Sequence, residues 1–459
     1  MGRLKQEVLF CGLKLCGSGI PEKYNQISKL SKLNKTHLKK YQMEKLKKCI
    51  QYAYHNVPYY HKVLAEAGVM TDDKDSIDWN CYMKIPKLTK ELIRDYKKEL
   101  QSRDRRIKGI YANHSGGSTG MPIEIWQDRE YNEWNIANSL FLKTFGGYRL
   151  GDKELRLWGS ESDLLENKEK MSLRVRNRIY GRKELNSFKM SLDNMEHYVD
   201  IWNQYKPEWV EAYAQSVYEL GVFIKKNRMK IHTPKGIVTS AGTLYPSMRT
   251  EIETIFGCRV FNRYGSREVG GMACNCTNET DLHLSVWNHY VEILDNNMQP
   301  VKQGQIGKVY VTTLNNRVMP LIRYEIGDIA EKVEWDHGCC RYGMPLLKGL
   351  EGRDMSVIRT RDGKIVPGEF FIHFIGVVYN SGFIDKFQVI QHDYEKLEIK
   401  AQILDDNEFE KMRDKIESAI KLEMTDRVQI IWSKVESIPC LQSGKYLYVY
   451  SKIDREGYQ

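Results

Sequence analysis

The spacing of apolar residues changes along the chain, and each change predicts a different kind of element. Up to about Tyr96 the apolar positions favour helices, and Asn56-Val57-Pro58 and Ile85-Pro86 interrupt them. A proline disfavours helical geometry in the residue before it, so these positions predict helix ends. Residues 1–96 are therefore predicted to form a mostly helical leader.

The clearest local pattern is a strand, a helix and a second strand over residues 236–268. Gly236–Ser240 is a short apolar run typical of a strand, Pro246 suits the first turn of a helix, and Gly257 suits its end. A second strand from Cys258 then leads directly into residues 262–268. In a parallel crossover of this length, the loops at Ser240 and at 264–268 leave the same carboxyl edge of a sheet, where open α/β sheets bind ligands.

After residue 353 the pattern becomes that of a small α+β domain. Residues 387–391, 397–403 and 428–432 have strand character, and residues 408–422 have helical spacing. With 459 residues the chain is long enough for more than one core. We predict an α/β protein with a large domain of layered β-sheets and helices at 1–353 and a small α+β domain at 354–459.

Composition and charge narrow the function classes. No apolar run reaches the roughly 20 residues of a membrane span, and Lys5, Glu7 and Lys14 interrupt the start of the chain. We therefore expect a cytoplasmic protein without stable membrane insertion. The net charge of +10 is spread among acidic residues, which favours a solvated basic surface over a nucleic-acid partner. The lysine-rich segment 35–50 predicts an amphipathic helix docked on the core, with membrane-surface binding as the alternative.

A glycine-rich segment is the first candidate for chemistry. Residues 113–122 are Asn-His-Ser-Gly-Gly-Ser-Thr-Gly-Met-Pro, with three glycines among hydroxyl side chains. Such a loop lets backbone N–H groups approach phosphate oxygens closely. The spacing is not that of a Walker A loop, and a flexible hairpin is the alternative interpretation.

Four further motifs follow this loop in a fixed order: Tyr264-Gly-Ser-Arg-Glu268, Ile322-Arg-Tyr-Glu-Ile-Gly-Asp328, Glu351-Gly-Arg353 and Ser443-Gly-Lys445. Together they resemble the adenylate-forming superfamily of acyl-CoA synthetases and peptide-synthetase adenylation domains. The branch that they resemble more closely is phenylacetate-CoA-ligase-like and includes members from capsular polysaccharide loci. The resemblance extends over nearly the whole chain.

The resemblance implies an ATP- and Mg²⁺-dependent ligase. It would activate a carboxylic acid as acyl-AMP, release pyrophosphate, and pass the acyl group to CoA, a carrier thiol or a sugar. The pathway implied is surface (capsular) polysaccharide biosynthesis, and the small domain would be a mobile lid. The transition state at the α-phosphate is anionic, which suits cationic and metal neutralisation.

The resemblance also assigns roles to single residues. Lys445, Glu268 and Arg353 would be catalytic, with Glu268 holding Mg²⁺ and Lys445 bridging phosphate and carboxylate oxygens. Tyr264 would stack on adenine, and Asp328 would bind the ribose hydroxyls. The remaining residues expected to bind the nucleotide are Ser115, Gly116, Gly117, Ser118, Thr119, Gly120, Ser240, Ala241, Gly265 and Ser266. Tyr213 and the segment 134–145 lie where the family builds its acyl pocket, with a core role as the alternative.

Some positions depart from the family pattern. Met121 stands where many relatives have lysine, Met355 and Ser356 replace an acid after the Gly-Arg hinge motif, and Gly242 replaces another acid. These departures raise an alternative function, a catalytically silent family member that acts as a scaffold.

Thiols and an imidazole form a second candidate group. Cys274, Cys276, His283 and the adjacent Cys339 and Cys340 are ligand types that tetrahedral zinc prefers. Relatives in the branch carry a similar arrangement, so we expect a structural zinc held by four of these five, with Cys340 preferred over Cys339. Buried free cysteines are the alternative.

Overall fold

The computed structural model describes residues 2–72, 75–114, 123–159, 174–187, 190, 192–242, 244–277, 280–302, 305–335, 342–350, 357–362, 365–379, 382–438 and 448–453. The chain divides into two compact units. Unit 1 comprises Met1–Asn113, Ile123–Leu150 and Asn262–Gly352, and unit 2 comprises His114–Pro122, Gly151–Phe261 and Arg353–Gln459.

The described helices are α1 (Gly2–Leu15), α2 (Ile20–Leu30), α3 (Lys35–Asn56), α4 (Pro58–Glu66), α5 (Lys90–Asp95), α6 (Arg129–Lys143), α7 (Leu192–Tyr205), α8 (Ala214–Lys226), α9 (Pro246–Phe256), α10 (Gly368–His373) and α11 (Asp406–Glu423). A 3₁₀ turn, Trp79–Lys84, and a π turn, Phe374–Val378, complete them. No helix among the described residues is long and apolar enough to cross a membrane.

The described strands are β1 (Tyr111–His114), β2 (Glu124–Gln127), β3 (Glu154–Trp158), β4 (Arg182–Asn186), β5 (Trp209–Tyr213), β6 (Gly236–Ser240), β7 (Arg259–Ser266), β8 (Gly270–Cys274), β9 (Leu282–Leu284), β10 (His289–Leu294), β11 (Gly307–Thr313), β12 (Tyr324–Ala330), β13 (Lys332–Glu334), β14 (Leu346–Lys348), β15 (Val357–Arg359), β16 (Ile365–Pro367), β17 (Ile384–Asp393), β18 (Lys396–Ile403), β19 (Gln429–Lys434) and β20 (Val449–Ser451).

Unit 1 contains the helical leader and antiparallel sheets. Strands β7, β8, β9, β14 and β13 are neighbours in that order, and β10, β11 and β12 form a second sheet. Helix α3 buries Leu38, Leu46 and Ile50, as the amphipathic pattern predicted, and begins at an Asn34 cap whose side chain accepts a hydrogen bond from the His37 N–H. Helices α1 to α5 all lie within residues 1–96.

Unit 2 contains a parallel sheet and the C-terminal α+β segment. Strands β4, β3, β5 and β6 run parallel in that order. The C-terminal sheet has the order β19, β18, β17, β20, and α11 buries Phe409, Ile416 and Ile420. The α/β fold class with its additional small α+β segment is confirmed.

The predicted strand, helix and strand around residue 250 are present as β6, α9 and β7. Gly257 ends α9 in the left-handed conformation at φ 65°, as expected of a glycine at a helix end. The second strand extends further than predicted, to Ser266, because residues 263–266 pair with β8. Tyr264 therefore lies on a strand and not in a loop. The boundary between the units falls within β7, after Phe261.

Candidate functional site

Two predicted nucleotide-binding residues lie together in unit 1. Tyr264 lies near the end of β7 and Asp328 lies within β12, and the Tyr264 hydroxyl donates a hydrogen bond to Asp328 Oδ2 at 2.7 Å. A phenol bonded to a carboxylate holds both groups in a fixed geometry. The tyrosine ring and the carboxylate, which come from distant motifs, thus form one polar group.

The turn after β7 carries the predicted magnesium ligand. Glu268 is only 5% exposed, and the Tyr324 hydroxyl lies 3.5 Å from its Oε1. Tyr324 begins β12, the strand that also carries Asp328. The Ser266 Oγ is buried and has no hydrogen-bond partner among the described residues. A buried hydroxyl without a partner is unusual in a folded protein.

Glycine is required where β7 meets β8. A Cβ at Gly265 would lie 2.4 Å from the Gly270 carbonyl oxygen. Gly270 itself has φ +79°, and a Cβ there would lie 2.7 Å from Asn135 Oδ1. The predicted site residue Gly265 is therefore fixed by the close approach of two backbones.

The ends of the glycine-rich segment are attached to this same turn. Asn113, which is next to the end of β1, donates from its Nδ2 to the Arg267 carbonyl oxygen at 2.9 Å. Gln127, at the end of β2, donates from its Nε2 to the Glu268 carbonyl oxygen at 3.1 Å and accepts from the Tyr111 hydroxyl at 2.8 Å. The chain therefore enters and leaves residues 115–122 beside the turn of the predicted magnesium ligand.

A buried ion pair supports the strand that carries Asp328. Arg323 is 0% exposed, and its Nε lies 3.4 Å from Glu292 Oε2. Its Nη1 donates to the carbonyl oxygens of Met83 at 3.1 Å and Ile85 at 2.6 Å, and the Tyr82 hydroxyl donates to Glu292 at 3.0 Å. Burial raises the pKa of the Glu292 carboxyl, and the charge of Arg323 opposes that rise. None of these residues carries a site signal in the sequence, although Arg323 lies within the motif Ile322–Asp328.

A buried histidine lies behind the same turn. His289 donates from Nε2 to the Val269 carbonyl oxygen at 2.8 Å, one residue after Glu268. Burial lowers the pKa of His289 to about 4, so the imidazole is neutral at pH 7. Sequence reasoning missed this residue because a single histidine in a strand carries no motif.

Unit 2 aligns the ends of three parallel strands. Trp158 ends β3, Tyr213 ends β5 and Ser240 ends β6, and Tyr213 and Ser240 are register partners. The Trp158 and Tyr213 ring centroids are 4.1 Å apart. Ala241 follows at φ 64°, a left-handed conformation that a non-glycine residue seldom adopts. The carboxyl edge expected at Ser240 is therefore present.

The surroundings of Tyr213 are those of a core residue. Tyr213 is 6% exposed and belongs to a hydrophobic cluster with Phe370, Phe371 and Phe387 of the C-terminal segment. Arg156 lies 4.7 Å from the Trp158 ring centroid and 3.4 Å from the buried Glu211 carboxylate. Tyr213 thus has the core role that was one of the two alternatives, at a strand end where ligands bind in related sheets.

Three of the five predicted zinc ligands are described. Cys274 on β8 and His283 on β9 are direct cross-strand partners, 1% and 0% exposed, and Cys276 is also buried. Direct antiparallel partners place their side chains on the same face of a sheet. No group of three or more possible ligands occurs among the described residues. Cys339 and Cys340 lie outside them.

The remaining predicted site residues also lie outside the described residues. These are Ser115, Gly116, Gly117, Ser118, Thr119 and Gly120 of the glycine-rich loop, together with Arg353 and Lys445. Met121, Met355 and Ser356, three of the departures from the family pattern, lie outside as well.

Comparison with known proteins identifies relatives over most of the chain. Residues 358–452 match the family described as CapK C-terminal domain. Protein CapK of Staphylococcus aureus is 22% identical over 94% of this chain and 92% of its own length. A phenylacetate-coenzyme A ligase of Pseudomonas putida is also 22% identical, over 90% of this chain and 94% of its own length.

Solved structures show the same fold. A 2-hydroxyisobutyryl-CoA ligase with 2-HIB-AMP and CoA, in its thioesterification state, matches with a TM-score of 0.61 and 16% identity, covering 94% of this chain and 93% of that chain. The same ligase in a postadenylation state matches with a TM-score of 0.58 and 17% identity, covering 93% and 92%.

Over most of its length the chain is therefore similar to CapK and to phenylacetate-coenzyme A ligases, its residues 358–452 match the CapK C-terminal domain family, and its fold is shared with a 2-hydroxyisobutyryl-CoA ligase.

Proposed function

We propose that the protein uses ATP and Mg²⁺ to activate a carboxylic acid as acyl-AMP. A carboxylate oxygen attacks the α-phosphorus, the bond to the β-phosphate oxygen breaks, and pyrophosphate leaves. The observation that carries the proposal is the Tyr264–Asp328 hydrogen bond beside the turn that contacts Asn113 and Gln127. The proposal assigns adenine to Tyr264 and the ribose to Asp328, and it assigns the phosphates to the segment that follows Asn113.

The described residues fit the groups that the reaction needs. The Asp328 carboxylate suits ribose hydroxyls, and the Tyr264 ring suits adenine. Glu268 offers the hard oxygen ligand that Mg²⁺ prefers, and Mg²⁺ would neutralise phosphate charge.

The chain's cations are proposed to complete the site. Lys445 would bridge the carboxylate and α-phosphate oxygens, and Arg353 would lie beside the ribose-binding carboxylate. Residues 115–120 would hold the phosphates with backbone N–H groups. Residues 354–459 are proposed to act as a lid on the domain 1–353, which would bring Lys445 to the acyl-phosphate.

The proposed second step transfers the acyl group to an acceptor. A CoA thiolate sulfur attacks the acyl carbon, AMP leaves, and the thiol proton is released to solvent. The names of the phenylacetate-coenzyme A ligases favour CoA, and a carrier thiol or a sugar is the alternative. We propose a role in capsular polysaccharide biosynthesis, as the resemblance of the ordered motifs to that branch implies, and a cytoplasmic location, where ATP and CoA are available.

A structural zinc is proposed beside this machinery. Cys274 and His283 are opposite one another, and sulfur and imidazole nitrogen are ligands that zinc binds tetrahedrally. Cys276 and Cys340, or Cys339, would complete four ligands. Metal analysis of purified protein should find about one zinc per chain; Cys274→Ser should lower both zinc content and melting temperature, whereas exposed Cys16→Ser should change neither. A zinc-free wild-type protein with full stability contradicts this proposal.

The experiment for the adenylation proposal is ATP–pyrophosphate exchange with aromatic, aliphatic, amino and sugar acids, with and without CoA. Exchange that depends on one acid class supports adenylation. Lys445→Ala should abolish that exchange while retaining ATP binding. ATP binding without exchange for any acid supports the catalytically silent scaffold instead.

A further inference from the structure

A cleft in unit 1 lies apart from the candidate adenylation residues. Its volume is about 850 Å³, within the roughly 300–1,000 Å³ of small-molecule sites. The described residues that line it are Gln6, Tyr24, Ser28, Ser31, Lys32, Phe141, Thr144, Gly147, Tyr148, Arg149 and Tyr342. None of these residues is among those proposed to bind the nucleotide or Mg²⁺ or to catalyse adenylation, although Phe141 and Thr144 belong to the segment 134–145 considered above for the acyl pocket.

The cleft exists because small residues occupy positions between α2 and the end of α6. Ser28 and Ser31 lie at the end of α2, and Thr144 caps α6. Gly147 has φ +100°, which lets the chain turn back after α6 toward Tyr148. Larger side chains at the serines would fill the space, so the sequence keeps it open.

The walls of the cleft are aromatic. Phe141 and Tyr342 have ring centroids 6.4 Å apart and nearly perpendicular planes, and Tyr24 and Tyr148 add two further rings. Aromatic rings arranged around a gap offer both edges and faces to a flat guest. An apolar ring system is therefore the body of a ligand that fits.

The charged lining residues have one sign. Lys32 and Arg149 are the charged residues among the described lining, which contains no carboxylate. Both are exposed, so they lie where an entering ligand meets the protein. Burial raises the pKa of the Tyr24 phenol, while hydrogen bonds from Gln6 and Ser28 and the charge of Arg149 oppose the rise. The phenol stays protonated at pH 7 and is available as a donor.

We propose that this cleft is a second small-molecule site that binds an aromatic carboxylate. The flat ring lies among Phe141, Tyr148 and Tyr342, and the carboxylate contacts Arg149 and Lys32. Arginine binds carboxylates through two parallel N–H groups, which gives the cation a defined geometry. The proposal does not depend on the nucleotide-binding, metal-binding or catalytic residues assigned above, since it uses none of them.

The test is isothermal titration of the full-length protein, without ATP, with 2-naphthoate and with its neutral analogue 2-naphthamide. 2-Naphthoate should bind one to one with a sub-millimolar Kd, and 2-naphthamide should bind more weakly. Arg149→Gln should raise the Kd more than about tenfold, because the charge-assisted contact of two parallel N–H groups with the carboxylate is lost. Arg105→Gln, an exposed arginine of unit 1 outside the cleft, makes the same charge change and should leave the Kd unaltered.

A second variant tests whether 2-naphthoate binds inside the cleft, because it fills the cleft with a larger side chain. Ser28→Phe places a ring in the cleft and should abolish 2-naphthoate binding while the melting temperature stays near that of the wild type. The proposal is overturned if 2-naphthoate does not bind at millimolar concentration. It is equally overturned if Arg149→Gln and Arg105→Gln bind alike, or if Ser28→Phe, correctly folded, still binds.

Discussion

Replacing Arg323 by methionine should destabilise unit 1 more than any loss of an exposed ion pair. The Arg323 Nε and Glu292 Oε2 atoms are 3.4 Å apart, and both side chains are buried. At an effective dielectric constant of about 20, two charges at this distance attract by about 5 kcal/mol, much of which offsets their desolvation. Removing one partner leaves a buried, unpaired carboxylate, so we expect a loss of about 3–5 kcal/mol.

The substitution isolates the side chain from the backbone. Arg323 has φ 52°, and methionine is equally strained there, so the conformational cost does not change. Urea-dependent hydrogen exchange of peptides from β11 and β12 measures the opening of unit 1 by itself. Lys62→Met, which breaks an exposed pair with Glu66 at 3.9 Å, is the control and should have little effect.

The double variant Arg323→Met with Glu292→Leu completes the thermodynamic cycle. Since it removes both charges, it should lose less stability than the sum of the single variants. The reasoning is refuted if Arg323→Met is no more destabilising than Lys62→Met, or if the two effects are additive.

Two further predictions follow from the surroundings of Glu268. Burial lowers the pKa of His289 to about 4, below an unfolded value near 6.5, so the neutral form contributes stability above about pH 6.5 that is lost as the pH falls toward 4. In thermal melts across this pH range, the melting temperature of His289→Gln should therefore fall less steeply than that of the wild type or of the exposed control His197→Gln. Parallel curves for the three proteins would contradict this. Gln127→Leu removes the hydrogen bonds to the Glu268 carbonyl oxygen and from the Tyr111 hydroxyl, so it should lower the melting temperature and, in protein that is still folded, the rate of ATP–pyrophosphate exchange about tenfold. An unchanged rate would remove Gln127 from the positioning of the turn.

The periodic parts of the fold could be predicted from the sequence. The strand Gly236–Ser240, the helix from Pro246 and its end at Gly257 are all determined by nearby residues, and each is present as predicted. The C-terminal strands and helix were also found to within a few residues. Local propensity and periodicity are enough where burial follows a regular pattern.

Features that depend on distant partners could not be predicted. Arginine is usually a surface residue. The burial of Arg323 is evident only from its contacts with Met83, Ile85 and Glu292 in the folded chain. The extension of β7 through Tyr264 depends on pairing with β8, which the apolar pattern does not reveal. Long-range pairing of this kind overrides a local turn signal.

The candidate site also combines residues that a local motif identifies with residues that only long-range contacts reveal. Tyr264, Glu268 and Asp328 were selected by ordered motifs, and the structure places them in unit 1 with the Tyr264–Asp328 hydrogen bond already formed. Asn113 and Gln127 were not selected as site residues, because an amide side chain carries no signal until its partner is known. Both attach to the backbone of residues 267–268, more than 140 positions away.

Direct detection of the acyl-AMP intermediate is the measurement that tests the central claim most directly. The protein would be incubated with ATP, Mg²⁺ and each carboxylic acid of the panel, without an acceptor, and the quenched mixtures analysed by mass spectrometry. The account predicts an acyl-AMP for at least one acid class, at wild-type levels in the surface variant Arg105→Gln and strongly reduced in Asp328→Ala. If the protein binds ATP but no acyl-AMP is detected with any acid, the proposed adenylation is contradicted.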